Sequence, residues 1–159
     1  MKRVVALLME NQPGALSRVV GLFSQRGYNI ESLIVAPTED PSLSRLTMTT
    51  EGDSKVVEQI TKQLNKLIDV VKVLDLSQED YIGRELLLIK LPSGKDVESE
   101  VDNLGGIILF KSQELLNAQF VGTSEEVDNI ISILEKVNPL EVVRTGLSGL
   151  SSTSKTLNI

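Results

Sequence analysis

Residues 10–33 read ENQPGALSRVVGLFSQRGYNIESL, and this stretch carries the clearest structural signals in the sequence. Pro13 and Gly14 form a turn signal after which a helix can begin. Apolar residues then recur at the i, i+3, i+4 and i+7 spacing of one helix face, at Leu16, Val19, Val20 and Phe23. Gly27 stands where a glycine commonly ends a helix. The stretch therefore predicts a turn, an amphipathic helix and a strand that begins near residue 28.

The residues on both sides of this stretch complete a pattern of strands and helices. Strands are predicted at residues 2–9, 28–36, 44–51 and 69–76. Pro37 ends the second strand, and Asp53 suits the N-cap of a second helix before the fourth strand. The order is βαββαβ, which predicts a ferredoxin-like domain over residues 1–76. Its four strands are antiparallel, and both helices lie on one face of the sheet.

The second half of the chain repeats this order of elements. Residues 77–83 are polar and end in glycine, so we interpret them as a domain linker. Strands are then predicted at residues 85–91, 106–111, 115–121 and 140–144, and helices at 96–103 and 124–137. The fold class is therefore α+β, with a second ferredoxin-like βαββαβ domain over residues 84–146. Residues 147–159, rich in serine and threonine, are expected to form a flexible tail.

The first strand raises a question of packing. Residues 4–8 are apolar on both faces of the predicted sheet, whereas helices cover only one face in a ferredoxin-like domain. The other face needs a cover, and a self-dimer, the second domain or a larger partner would each supply one. We therefore expect a protein that works in a complex.

Composition excludes several classes of function. The chain has 159 residues, 41% of them hydrophobic, a formal net charge of -6, no cysteine and no histidine. An acidic chain without a basic stripe does not favour nucleic acid or an anionic membrane. Without histidine and cysteine it lacks the usual general base, transition-metal ligands and catalytic triads. We predict no catalytic, metal or cofactor-binding residue. The N-terminal apolar run is too short for a signal peptide or a membrane span, so the expected location is the cytoplasm or an organelle that makes its own copy.

The helix start offers a candidate binding site. The N–H groups of a first helical turn, here around Gly14, Ala15 and Leu16, suit a carboxylate. The amide of Asn11 can donate to that carboxylate or accept from an ammonium group, as a zwitterionic amino acid requires. On residue pattern alone, an ordinary turn is the favoured explanation of Asn11 to Gly14, because turns prefer these residues in any case.

Two further positions extend this interpretation. Asn29 and Ile30 open the second strand, and edge-to-edge pairing of two copies would bring them towards the helix start of the neighbour. Gly21, inside the helix, is interpreted as a close-packing position, since glycine costs about 1 kcal/mol in a helix interior.

Residues 14–33 resemble the signature of the small regulatory subunit of acetohydroxyacid synthase (acetolactate synthase), an ACT-domain family. The resemblance continues through residues 35–37 and 43–47 and returns at 142–146. It implies an ACT domain in the first half, a homodimer through ACT domains, and no active site. It also implies a catalytic large subunit that holds thiamine diphosphate, Mg²⁺ and usually FAD. The small subunit would activate this partner and confer feedback inhibition by valine.

The resemblance also assigns the six site residues. It places Asn11, Gly14, Ala15 and Leu16 on the carboxylate side of the effector. It places Asn29 and Ile30 of the neighbouring copy at the amino group or at the closure of the pocket. Valine, leucine and isoleucine all remain candidate effectors. The sheet face left uncovered by helices is the predicted contact surface for the large subunit.

Other interpretations stay open at this stage. A free-standing ACT module could regulate another enzyme or a transcription factor, and a small enzyme could run on carboxylates or lysine. Residues 92–105 depart from the family pattern, which usually has a longer amphipathic helix there; here the segment is short and acidic.

Overall fold

The computed structural model describes residues 2–158, and Met1 and Ile159 lie outside the described residues. The chain forms two compact units. Unit 1 comprises Met1–Ile82 together with Leu147–Ile159, and unit 2 comprises Gly83–Gly146. No helix within residues 2–158 is long and apolar enough to cross a membrane.

Unit 1 has the predicted βαββαβ order. Its elements are β1 (Lys2–Glu10), α1 (Ala15–Gln25), β2 (Ile30–Pro37), β3 (Leu43–Glu51), α2 (Ser54–Leu64) and β4 (Val70–Asp75). The strands form one antiparallel sheet in the order β2-β3-β1-β4, so β2 is an edge strand. Asp53 caps α2 as predicted, because its side chain accepts a hydrogen bond from the Val56 N–H at 2.9 Å. The ferredoxin-like prediction is confirmed.

The helices cover one face of this sheet. Alternate residues of β1 point into a core formed with α1 and α2, which includes Leu7, Val19, Phe23, Val57 and Ile60. The remaining β1 residues point to the opposite face, as the two-residue period of a strand requires. The apolar spacing of the sequence therefore located this core correctly.

The opposite face is covered by residues 147–158, which we name the C-terminal segment. Val4, Ala6 and Leu8 pack there with Leu147 and Leu157 in a second buried cluster. The predicted flexible tail is therefore wrong for the described residues, and so is the expectation that this face is free for a partner. The anchors are Leu147 and Leu157, which lie ten positions apart. The serine-rich composition of the rest of the segment led to the prediction of a flexible tail.

Polar contacts also attach the C-terminal segment. It contains strand β9 (Ser148–Ser151), and the Ser152 N–H that follows donates to the Asp80 carbonyl at 2.9 Å, just before strand β5 (Tyr81–Pro92) begins. The Glu79 carboxylate accepts hydrogen bonds from the hydroxyls of Ser151 and Thr153 and pairs with the Lys155 ammonium. Glu79 lies in the predicted linker, so that segment is not a free connection. Its last residues are already part of β5.

Unit 2 repeats the fold of unit 1. After β5 it contains α3 (Lys95–Asn103), β6 (Ile107–Lys111), β7 (Leu115–Gly122), α4 (Ser124–Leu134) and β8 (Glu141–Arg144). The strand order β6-β7-β5-β8 corresponds to that of unit 1. The short, acidic helix α3 packs through Val101, which is fully buried. Val101, together with the partly buried Val97 and Leu104, therefore anchors the segment that departs from the family pattern.

Candidate functional site

The start of α1 is unusual among the helices of the described chain. Of the four α-helices in residues 2–158, α1 alone has neither a side-chain cap nor an acidic residue in its first turn. Its N-cap position is Gly14, with φ of 88°. Side-chain caps and first-turn acids normally satisfy the free N–H groups and the partial positive charge of a helix start. At α1 the free N–H groups and the partial positive charge therefore remain available to an external anion.

The available donors differ in part from those predicted. The Ala15 N–H donates to the Gln12 carbonyl at 3.2 Å and is therefore occupied. The N–H groups of Gly14, Leu16 and Ser17 donate to no atom of residues 2–158. Ala15 itself is buried in the core, so it anchors the helix start and presents no donor.

Asn11 is fixed beside the helix start by a neighbouring turn. Its backbone N–H donates to the Ser42 carbonyl at 2.7 Å, and its side-chain Nδ2 donates to the Pro41 carbonyl at 2.9 Å. The Asp40 carboxylate holds this turn by accepting from the Ser42 hydroxyl at 2.6 Å, and the same contacts lower the pKa of Asp40. The Asn11 side-chain oxygen has no partner in the described chain, so it is available to accept from a ligand.

Asn29 and Ile30 lie at the other end of the sheet. Ile30 is in register with Thr50, which pairs with Arg3 at the start of β1, while Glu10 ends β1 beside Asn11. The seven steps along β1 from Arg3 to Glu10 span roughly 23 Å at the usual rise of a strand. The six predicted site residues therefore cannot line one pocket within a single copy.

A buried carboxylate that the sequence analysis missed organises the helix start. The Asp69 side chain is 1% exposed and accepts from Arg18 Nη2 at 2.9 Å, from Arg18 Nε and from Gln12 Nε2 at 2.6 Å. The Glu10 N–H donates to the Asp69 carbonyl at 2.8 Å. Asp69 thus ties the end of β1, the turn and the first turn of α1 together. Its partners lie 51 and 57 positions away in the chain, so no local pattern could have revealed them.

The contact between Arg18 and Asp69 shifts both groups towards their charged forms. The Arg18 hydrogen bond lowers the pKa of Asp69 against the opposing effect of burial, and the Gln12 bond adds to the lowering. The same hydrogen bond raises the pKa of Arg18. The Arg18 guanidinium is therefore held in place as a cation next to the helix start.

A groove of about 560 Å³ runs alongside this region on the helix face of unit 1. Its lining includes Gly14 and Arg18 at the start of α1, Arg26 just after the end of α1, and Lys66 between α2 and β4. Gly14 is the one predicted site residue in its lining. Gly21 also lines the groove, and a Cβ added there meets no atom within 4 Å, so the interpretation of Gly21 as a close-packing position is wrong.

Comparison with known families identifies the class of domain. Residues 5–72 match the model of the AHAS small subunit-like ACT domain, and residues 84–153 match that of the small subunit of acetolactate synthase. The fold and the exposed helix start of unit 1 therefore belong to an ACT domain, as predicted.

Individual relatives agree with these matches over the whole chain. The chain is 48% identical to the small subunit of acetolactate synthase isozyme 3 from Escherichia coli K12, with 98% of each chain covered. It is 47% identical to the isozyme 3 small subunit of Salmonella typhimurium, again with 98% of each covered. The crystal structure of the acetolactate synthase small subunit from Thermotoga maritima superposes with a TM-score of 0.88 at 33% identity, covering 98% of this chain and 99% of that one. The chain belongs to the family of small, regulatory subunits of acetolactate synthase.

Proposed function

We propose that this chain activates the catalytic large subunit of acetolactate synthase and makes it sensitive to valine. In this proposal the chain performs no chemistry itself. The large subunit carries thiamine diphosphate, Mg²⁺ and FAD, and the two subunits work together in the cytoplasm, or in an organelle that makes its own copy of this chain. Family membership supports the partner, and the geometry of the ACT sheet supports the effector site.

One observation carries the effector site: the two halves of the predicted residue set lie at opposite ends of the sheet, which has β2 at its edge. Suppose that two copies pair their β2 strands antiparallel about a two-fold axis near the middle of the strand. Ile30 of one copy then comes opposite Pro37 of the other. Pro37 is in register with Ser44 at the end of the sheet that holds Asn11.

The resulting gap has the size of an amino acid. Three strand spacings, about 14 Å in all, separate β1 of one copy from β2 of the other. The turn at Gly14 and the side chains of Asn11 and Asn29 reach into this space, and a bound valine fills the rest. The carboxylate meets the free N–H groups at Gly14 and Leu16, and the ammonium meets the Asn11 oxygen and residues 29–30 of the other copy.

Valine bound across two copies acts on their arrangement. A ligand that contacts both copies stabilises the relative position in which both contacts form, and it shifts the population towards that state. If the large subunit is active with the other arrangement, valine lowers the fraction of active complexes. The difference in binding free energy of valine between the two states sets the size of this shift.

A complementation experiment tests the composite site. Calorimetric titration with valine, leucine and isoleucine is made on the wild type, on Asn11→Ala and on Asn29→Ala. In a dimer of either variant alone, each of the two sites lacks one of its two asparagine side chains. After the two variants are mixed and their subunits exchange, mixed dimers contain one intact site and one doubly damaged site. We expect no high-affinity binding by either variant and recovery of roughly a quarter of the sites in the mixture.

Two results would contradict the proposal. A wild type that binds none of the three amino acids excludes feedback regulation at this site. If the mixture shows no valine binding although its subunits have exchanged, a site shared between copies is excluded. Activation is tested separately, by measuring synthase turnover of the large subunit with and without this chain.

A further inference from the structure

We propose that Arg18 is a further ligand of the effector carboxylate and that Asp69 is the residue that positions it. This inference rests on the effector site proposed above and adds a charged residue to it. Neither residue belongs to the set assigned from the sequence.

The argument begins with the donors of the Arg18 guanidinium. Nε and Nη2 donate to the Asp69 carboxylate, which fixes the plane of the group. Nη1 donates to nothing in residues 2–158. One edge of the guanidinium is therefore held by a buried carboxylate, while the outer nitrogen keeps its N–H groups free.

The position of Nη1 is the second step. A Cβ built on Gly14 would lie 2.8 Å from Arg18 Nη1, so this nitrogen rests directly against the Gly14 backbone. The free N–H groups of Gly14 and Leu16 belong to the same turn. Three sets of unused donors, two from the backbone and one charged, thus meet at the helix start.

The electrostatic setting of Arg18 points to an anion. A cation in the first turns of a helix is opposed by the partial positive charge of the helix start. Among residues 2–158, Asp69 is the one carboxylate that pairs with Arg18, and the first turn of α1 carries no acidic residue. The Glu10 carboxylate lies next to Asp69, since both accept from the Gln12 amide, at 2.7 and 2.6 Å. The side chain of Arg18 is 46% exposed, so its outer nitrogen is accessible. A carboxylate bound there would complete a planar, charge-assisted contact of the kind that guanidinium groups favour.

This arrangement also gives Gly14 a second reason to be glycine. Its positive φ already disfavours a side chain, and the Arg18 guanidinium occupies the space a Cβ would need. Both requirements leave the backbone open to the ligand.

The test compares two arginines that line the same groove. Arg18→Gln and Arg26→Gln change the net charge equally, but only Arg18 touches Gly14 and Asp69. Calorimetry with valine is expected to show a loss of affinity of at least tenfold for Arg18→Gln and less than about twofold for Arg26→Gln, as the strength of charged hydrogen bonds implies. Equal effects of the two variants, or wild-type affinity in Arg18→Gln, would overturn the inference.

A paired variant separates ligand binding from a purely structural contact. Arg18→Met combined with Asp69→Leu replaces the ion pair with apolar side chains, a change that proteins often tolerate without loss of stability. We expect this variant to melt near the wild-type temperature and still to bind valine at least tenfold more weakly. Recovery of wild-type affinity would show that the pair only holds the fold.

Arg18→Lys keeps a charge, but its single nitrogen cannot hold Asp69 in two places and also present a separate donor at Gly14. It is therefore expected to retain the fold and lose affinity. If the paired variant does not fold, Arg18→Lys still tests the inference, because wild-type affinity in Arg18→Lys would overturn it. The outcomes also separate the two proposals. A wild type that binds no amino acid defeats the effector site itself, whereas a wild type that binds valine alongside an unimpaired Arg18→Gln defeats only the role of Arg18.

Discussion

Arg45 Nη2 donates a hydrogen bond to the carbonyl oxygen of Gly149 at 2.6 Å, which joins two residues 104 positions apart. The bond links β3 to the C-terminal segment, on the face of the sheet away from the helices. Burial without a carboxylate partner lowers the pKa of Arg45. The C-terminal segment is therefore an integral part of unit 1.

Removal of an anchor of the C-terminal segment should destabilise unit 1. Leu157→Ala leaves a cavity against Val4, Ala6 and Leu8, and large-to-small core changes of this kind cost about 2–5 kcal/mol. Leu150→Ala is the matched control, because Leu150 lies in the same segment but is 61% exposed. Chemical denaturation measures the free energy of unfolding, and hydrogen exchange of the β1 amides assigns the loss to unit 1. Equal effects of the two changes would contradict the role of Leu157 as an anchor.

Gly14 and Gly27 separate backbone strain from contact at the site. Both have positive φ, 88° and 69°, but a Cβ at Gly27 meets no atom within 4 Å. Alanine at either position should therefore cost about 1–2 kcal/mol of stability, the usual penalty of the left-handed region. Only Gly14→Ala should weaken valine binding, because only there does the new Cβ displace Arg18. Calorimetry and denaturation on both variants check this, and weakened binding by Gly27→Ala would contradict it.

Gly21→Ala should stabilise the protein. Gly21 lies within α1, and an added Cβ has open space around it. Alanine then gains about 0.5–1 kcal/mol from the lower backbone entropy of the unfolded chain. The midpoint of chemical denaturation measures the gain. A loss of large-subunit activation in the same, more stable variant would place Gly21 in a contact between subunits.

The ion pair between Glu85 and Arg144 should matter far more than a neighbouring surface pair. Glu85 is 3% exposed and accepts from Arg144 Nε at 3.0 Å and Nη2 at 2.7 Å. Arg144→Met leaves this carboxylate buried without its cation, which costs on the order of 3 kcal/mol. Lys90→Met breaks an exposed pair with Glu141 on the same sheet and should cost less than about 1 kcal/mol. Denaturation of both variants tests the difference, and similar values would contradict it.

Asp69 should make stability fall at acid pH. Its pKa is lower in the folded chain than in the unfolded one, where the reference value is about 3.9. The folded state therefore gains stability from the ionised carboxylate above that value, and the gain disappears as the pH falls towards the lowered pKa. The stability difference between wild type and Asp69→Asn should be constant near neutrality and shrink below about pH 4. Denaturant titrations across this range measure it, and a constant difference at all pH values would contradict the role of Asp69.

Periodicity and turn signals determined most of the fold. The spacing of Leu16, Val19 and Phe23 located α1, and Asp53 located the start of α2, because both signals depend on neighbours within one or two turns. The six site residues were assigned from the family resemblance; five lie within the signature at residues 14–33, and Asn11 lies just before it. Local pattern alone could not separate a binding site from a turn.

Tertiary structure decided what depends on distant partners. Sequence pattern favoured a mobile end for residues 147–159, because serine and threonine dominate its composition and two leucines carry its packing. The Asp69 contacts with Gln12 and Arg18 join residues more than fifty positions apart, and only the pairing of β1 with β4 brings them together. The separation of Asn11 from Ile30 likewise follows from strand register. Hydrophobic spacing records which face of an element is buried, whereas the packed structure determines which distant residue meets it.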